Sequence, residues 1–146
     1  IAFSSDCLLK LLDFGLTTTV EDSSPDSEED YEMSGKTGSF RYMSPEVGQT
    51  KPYNHKADVY SYGLILWAMT TQERPYEGMN YGALLTKVWK GKERPVIKTK
   101  WPKDWSNLLE ECWSANVHKR PNFGKILADL NIMIDRESSS KTKTSF

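Results

Sequence analysis

Leu8-Leu9-Lys10-Leu11-Leu12-Asp13-Phe14-Gly15 opens the stretch that decides the fold, and Gly38-Ser39-Phe40-Arg41-Tyr42-Met43-Ser44-Pro45-Glu46 closes it. The opening is an apolar run that delivers a carboxylate, an aromatic ring and a glycine in succession. The closing half is a glycine-led segment that ends on Ser-Pro-Glu, with Pro suited to a first helical position. Between them the composition changes. Glu21, Asp22, Asp26, Glu28, Glu29, Asp30 and Glu32 crowd one short stretch, and no Lys or Arg occurs from 16 to 35. Like charges and few apolar side chains cannot offset ordering entropy, so this stretch reads as a solvated surface insertion.

Outward from this stretch the chain reads as mainly α. Upstream, Ala2-Phe3 and Leu8 to Leu12 flank Ser4-Ser5-Asp6, which predicts a short β-hairpin over 1–12. Gly15 reads as the residue that permits a backbone change a Cβ would resist. Downstream, Val59, Tyr62, Leu66 and Met69 form one stripe and Tyr60, Leu64 and Trp67 another, so a helix from Asp58 is apolar nearly all round and buried. Gly63 within it reads as a point of close backbone packing, and Gln72-Glu73-Arg74-Pro75 ends it. Three amphipathic segments follow. Tyr81 to Trp89 stops at Gly91, Lys103 to Trp113 carries Trp105, Leu108, Leu109 and Cys112, and Pro121 to Ile134 is expected to bury Phe123, Ile126, Leu127, Leu130 and Ile134. The domain is expected over 1–137, with a flexible Ser/Thr/Lys tail at 138–146.

The bulk properties bound the function. The chain has 146 residues and net charge −1, so nothing favours nucleic acid or an anionic membrane. Five Trp among 12% aromatic residues argue for a packed core. Cys7 and Cys112 form no CxxC pattern, which fits a reduced compartment and no metal site; the expected location is the cytoplasm or the cytosolic side of a membrane. No apolar run is long enough to span a bilayer. A first residue of Ile1 marks the chain as a piece of something longer.

Together these motifs resemble the C-terminal lobe of a eukaryotic-type protein kinase, over Ile1 to about Asp135. Asp13-Phe14-Gly15, the 38–46 segment with Ser44 in place of Ala, Asp58-Val59-Tyr60-Ser61-Tyr62-Gly63, Cys112-Trp113 and Lys119-Arg120-Pro121 stand in the family's order, most similar to its tyrosine-kinase-like serine/threonine branch. The resemblance implies a kinase C-lobe with a long activation loop and a buried central helix, using ATP and Mg²⁺ on protein substrates. It assigns Asp13 to Mg²⁺, against the alternative of a turn-capping carboxylate, and places Ala2 and Leu12 in the adenine pocket, where ordinary strand core is an equal reading. Phe14 is expected to pack on the fold and help set active and inactive states. Ser39 matches the substrate-facing hydroxyl, or is a turn serine. Tyr42, rather than Trp, leans toward Ser/Thr substrates.

The resemblance also pairs Glu46 with Arg120 as a buried ion pair, although each alone could be a solvated charge. Asp58 reads as a helix cap, to which the resemblance adds a role in holding the catalytic loop. Thr37 and Ser34 are the favoured activation-loop phosphosites, ahead of Tyr31 and Ser27, because Lys36 and Arg41 flank Thr37. No G-x-G-x-x-G and no His-Arg-Asp occurs, so the catalytic-loop Asp is expected upstream of Ile1. The piece alone is expected to be inactive and to expose apolar surface. Two other readings remain, a pseudokinase scaffold or regulatory binding module and an unrelated helical interaction domain; Asp13 speaks against the first and the ordered motifs against the second.

Overall fold

The computed structural model describes residues 2–18, 30, 31, 35 and 38–143, with side chains to residue 139. Its elements are β1 (Ala2–Phe3), β2 (Leu9–Lys10), α1 (Pro45–Gly48), α2 (Lys56–Thr71), α3 (Tyr81–Ala83), a π-helical continuation (Leu84–Lys90), α4 (Lys103–Cys112), a 3-10 turn (Val117–Lys119) and α5 (Phe123–Lys143). The mainly α reading therefore holds, with one two-stranded sheet.

That sheet is the expected hairpin, shorter than the sequence suggests. Ala2 pairs with Lys10 and Phe3 with Leu9, antiparallel. Ser4 closes the turn: its Oγ donates to Leu8 O (3.0 Å) and accepts from Leu8 N (3.2 Å). Leu8, Leu9, Leu11, Leu12, Phe14 and Leu16 all stay exposed. Phe14 is 66% exposed, so the expectation that it packs on the fold is not met.

α2 is the centre of the molecule. Val59, Tyr60 and Leu64 have no accessible surface, and Leu66 and Trp67 are buried. At Gly63 an added Cβ would lie 2.7 Å from Cys112 Cβ, so the missing side chain is what lets α4 approach α2. The helix starts two residues before the sequence suggests. Asn54 Oδ1 takes the Lys56 amide (3.0 Å), while Gln72 ends it in the left-handed conformation (φ 60°), its N–H bonded to Ala68 O at 2.8 Å. Met69 is exposed, because its stripe runs past the edge of the neighbouring helices.

α5 departs most from expectation. It starts at Phe123 with Asn122 Oδ1 accepting from Lys125 N (2.7 Å), and Pro121 lies outside it. Ile126 is buried, but Phe123, Leu127 and Ile134 are exposed, since α4 covers only part of its circumference. The helix continues to Lys143, through 138–143, which read as tail composition. A packed first half supplies the nucleus, after which each added turn costs little. The Arg136 guanidinium bonds Asp104 across to α4, and Ser138 Oγ bonds Ile134 O (2.9 Å).

Candidate active site

The 38–46 segment is held from behind by side chains of two helices and by its own Arg41. Ser61 Oγ on α2 donates to Tyr42 O (2.8 Å), and Trp89 Nε1 at the end of the π-helix donates to Met43 O (3.2 Å). Arg41 Nη1 reaches Tyr76 O in the turn after α2. Main-chain carbonyls are thus the anchors. Phe40, Tyr81 and Trp89 form an edge-to-face ladder beside it, with centroids 5.1 and 5.6 Å apart. Sequence patterning did not single out Ser61, Trp89 or Arg41 for this work. A hydroxyl on a buried helix and an indole need partners, but their sequence does not name the carbonyls they find.

Glu46, the last residue of that segment, meets Arg120. Arg120 Nη1 donates to Oε1 at 2.6 Å and Nη2 to Oε2 at 3.0 Å, with the arginine side chain fully buried. The guanidinium also donates to Ser114 O (2.9 Å) and Lys56 O (3.0 Å) and lies 5.1 Å from the Tyr60 ring centroid. Lys56 Nζ returns a bond to Arg120 O at 2.8 Å. Burial pushes the Glu46 carboxyl up, but the Arg120 bonds and charge outweigh it and leave it below its usual value.

Ser39 and Asp58 line one cavity of about 260 Å³ with Tyr42, Met43 and Ser61. The capping role read for Asp58 is not what forms. His55 precedes the helix without a side-chain cap, Asn54 serves the Lys56 amide, and Asp58 lies in the first turn. Surrounding protein pushes the Asp58 carboxyl above its usual value, and the nearby His55 only partly counters this. Its surface is exposed toward the cavity side of the first turn.

Asp13, Phe14 and Gly15 stand apart, at the end of the exposed hairpin. Asp13, not Gly15, takes the left-handed backbone (φ 67°), a conformation Asp tolerates better than most residues. Its Oδ1 accepts from Gly15 N at 3.4 Å. A Cβ at Gly15 would meet only ordinary contacts, so the backbone freedom read there is used two residues earlier. Ala2 is half-buried in β1 and Leu12 is exposed; neither lies in the cavity with Ser39. Among the described residues no cluster of three His, Cys, Asp or Glu side chains forms. A single carboxylate suits Mg²⁺, which keeps several waters and phosphate oxygens as ligands. Thr37 and Ser34, with Ser27, lie outside the described residues; Tyr31 is bridged to Tyr53. Cys112 is buried, and burial pushes its thiol up to about 12, which makes it inert packing. No described helix is long and apolar enough to cross a membrane.

Residues 1–130 match the family described as protein tyrosine and serine/threonine kinase. The serine/threonine-protein kinase STY17 of Arabidopsis thaliana is 38% identical over 128 residues, covering 87% of this chain and 21% of that protein. The serine/threonine/tyrosine-protein kinase HT1 of the same plant is 34% identical over 130 residues, 89% of this chain and 32% of its own length. The dual specificity protein kinase shkD of Dictyostelium discoideum is 37% identical over 129 residues, 87% of this chain and 16% of its own. The chain thus spans a third or less of each of these relatives. With its motifs in order and matched over most of its length, the chain belongs to the protein tyrosine and serine/threonine kinase family.

Proposed function

We propose that this chain is the substrate-facing part of a protein kinase that transfers the γ-phosphate of ATP to serine or threonine hydroxyls of proteins. The observation that carries the reading is the 38–46 segment. Its carbonyls are fixed by Ser61 and Trp89 and its end is pinned by Arg120, so that Ser39 faces a cavity shared with Asp58. Such a segment can hold a substrate backbone still, which is most of what a kinase must do to a protein substrate. Asp13 would hold Mg²⁺, and Ala2 and Leu12 would line the adenine site. When bound, Mg²⁺ neutralises charge on the phosphates. Tyr42 supports a Ser/Thr acceptor, as do relatives named serine/threonine kinases, while others carry dual-specificity names. Thr37 and Ser34 are proposed as the regulatory phosphosites.

The test is phosphate transfer by the full-length protein to a generic protein substrate, with Asp13→Asn as the comparison. We expect a loss of about 100-fold or more with an unchanged melting temperature, and phosphoserine and phosphothreonine in the wild-type product. Full activity of the variant would overturn the role of Asp13. Phosphotyrosine as the main product would overturn the acceptor class.

A further inference from the structure

Next to the Ser39 cavity, with Tyr53 lining both, lies a larger groove, about 520 Å³, and it is basic. Lys51, Lys90, Lys92 and Arg94 line it, against Asp30 and Glu46. Glu46 is paired with Arg120; Asp30 accepts from the neutral Asn54 Nδ2 at 2.9 Å and keeps its charge, so four cations face one carboxylate that no cation neutralises among the described residues. None of the four cations is ion-paired among the described residues. This is a local excess of positive charge on a chain whose net charge is −1.

The groove is also built. Gln49 Nε2 donates to both Pro45 O (3.1 Å) and Trp89 O (2.9 Å), fixing α1 to the end of the π-helix beneath it. Arg94 is not a free surface side chain. Its Nε bonds Trp113 O (2.8 Å), its Nη1 bonds Glu93 O (2.8 Å), and the guanidinium lies 5.0 Å from the Tyr60 ring centroid. The carbonyls it meets are neutral, and Nη2 is buried, with no carboxylate bonded to it among the described residues. Lys92 is held in the left-handed backbone at φ 63°, an unfavourable place for a lysine unless the surrounding structure imposes it. Lys51, Lys90 and Lys92 are exposed at the rim.

We propose that this groove binds a phosphorylated segment of a partner protein, with the phosphoryl group among Lys51, Lys90, Lys92 and Arg94. A phosphoryl group brings nearly two charges and three acceptor oxygens to one point, which suits several cations around a single cavity better than one carboxylate does. A preorganised guanidinium that bonds no carboxylate among the described residues loses little freedom on binding it. Its cations do not line the Ser39 cavity, and the site does not require that the protein transfer phosphate.

The experiment is fluorescence anisotropy of a labelled phosphoserine peptide with neutral flanks, added to the full-length protein. Its unphosphorylated and aspartate-substituted forms are run alongside. Both should bind at least about tenfold more weakly, and the phosphopeptide should weaken as salt rises. Lys90→Glu combined with Lys92→Glu reverses two exposed rim charges without touching the Arg94 bonds, and should cost at least about tenfold in affinity. Lys103→Glu, an exposed reversal at the start of α4, should leave binding unchanged. Inorganic phosphate should compete. Equal binding of the three peptides, unchanged affinity of the double variant, or no binding at millimolar protein would each overturn the proposal.

Discussion

At Arg120 and Glu46, opposite charges sit where water does not reach. Replacing Arg120 with Ala strands a mostly buried carboxylate and removes four hydrogen bonds, two to that carboxylate and two to main-chain carbonyls, and should cost about 3–5 kcal/mol in denaturant unfolding of the full-length protein. Because the folded Glu46 carboxyl lies below its usual value, its contribution is present above the ordinary carboxylate range and fades as pH falls through the folded value. Glu46→Gln should therefore flatten the acid limb of the stability curve. Asp58 has the opposite sign. Burial raises its folded value, so the folded state prefers the protonated form, an advantage lost as pH rises through that value. Asp58→Asn should raise the melting temperature at pH 7, with the gain vanishing near pH 3; no gain at pH 7 would show that the charge is fully solvated.

Among the elements, α2 was legible and α5 was not, for one physical reason. Apolar residues on every side of α2 leave no orientation that keeps it at the surface, so its burial follows from the residues alone. On α5 the stripe of Phe123, Leu127 and Ile134 has an apolar face, but burial needs a neighbour, and α4 reaches only the side that carries Ile126. Helix ends were obscure for a related reason. Asn54 rather than Asp58 takes the first amide, a choice between two carbonyl-bearing side chains that only the local backbone settles. In the site, the pairing of Glu46 with Arg120 was readable from motif order. Ser61, Trp89 and Arg41 act through main-chain carbonyls, which carry no sequence signal. Gly63 was read as a contact point, and α4 does meet α2 there. Gly63→Ala should cost about 1–3 kcal/mol by overpacking against Cys112, measured by thermal unfolding of the full-length protein. A neutral result would mean that α4 can shift freely.

For the whole molecule, the two ends of the 38–46 segment sit in unlike surroundings. One end runs into a core where α1, α2 and the 114–120 turn meet; toward the chain start, the hairpin presents leucines and Phe14 to solvent. Isolated two-stranded hairpins are marginal, so the order of Asp13 rests on few contacts. The clasp of Lys56 and Arg120, each side chain bonded to the other's carbonyl, joins residues 64 apart, and Glu46 joins at a separation of 74. Closing such distant segments is paid for in chain entropy before any bond forms, so the clasp belongs late on the folding path. Its loss should then be felt on the way out. In stopped-flow experiments, Arg120→Ala should speed unfolding by roughly two to four powers of ten while refolding stays nearly unchanged. The clasp is in this sense a latch that sets how long the folded protein lasts rather than how quickly it is made.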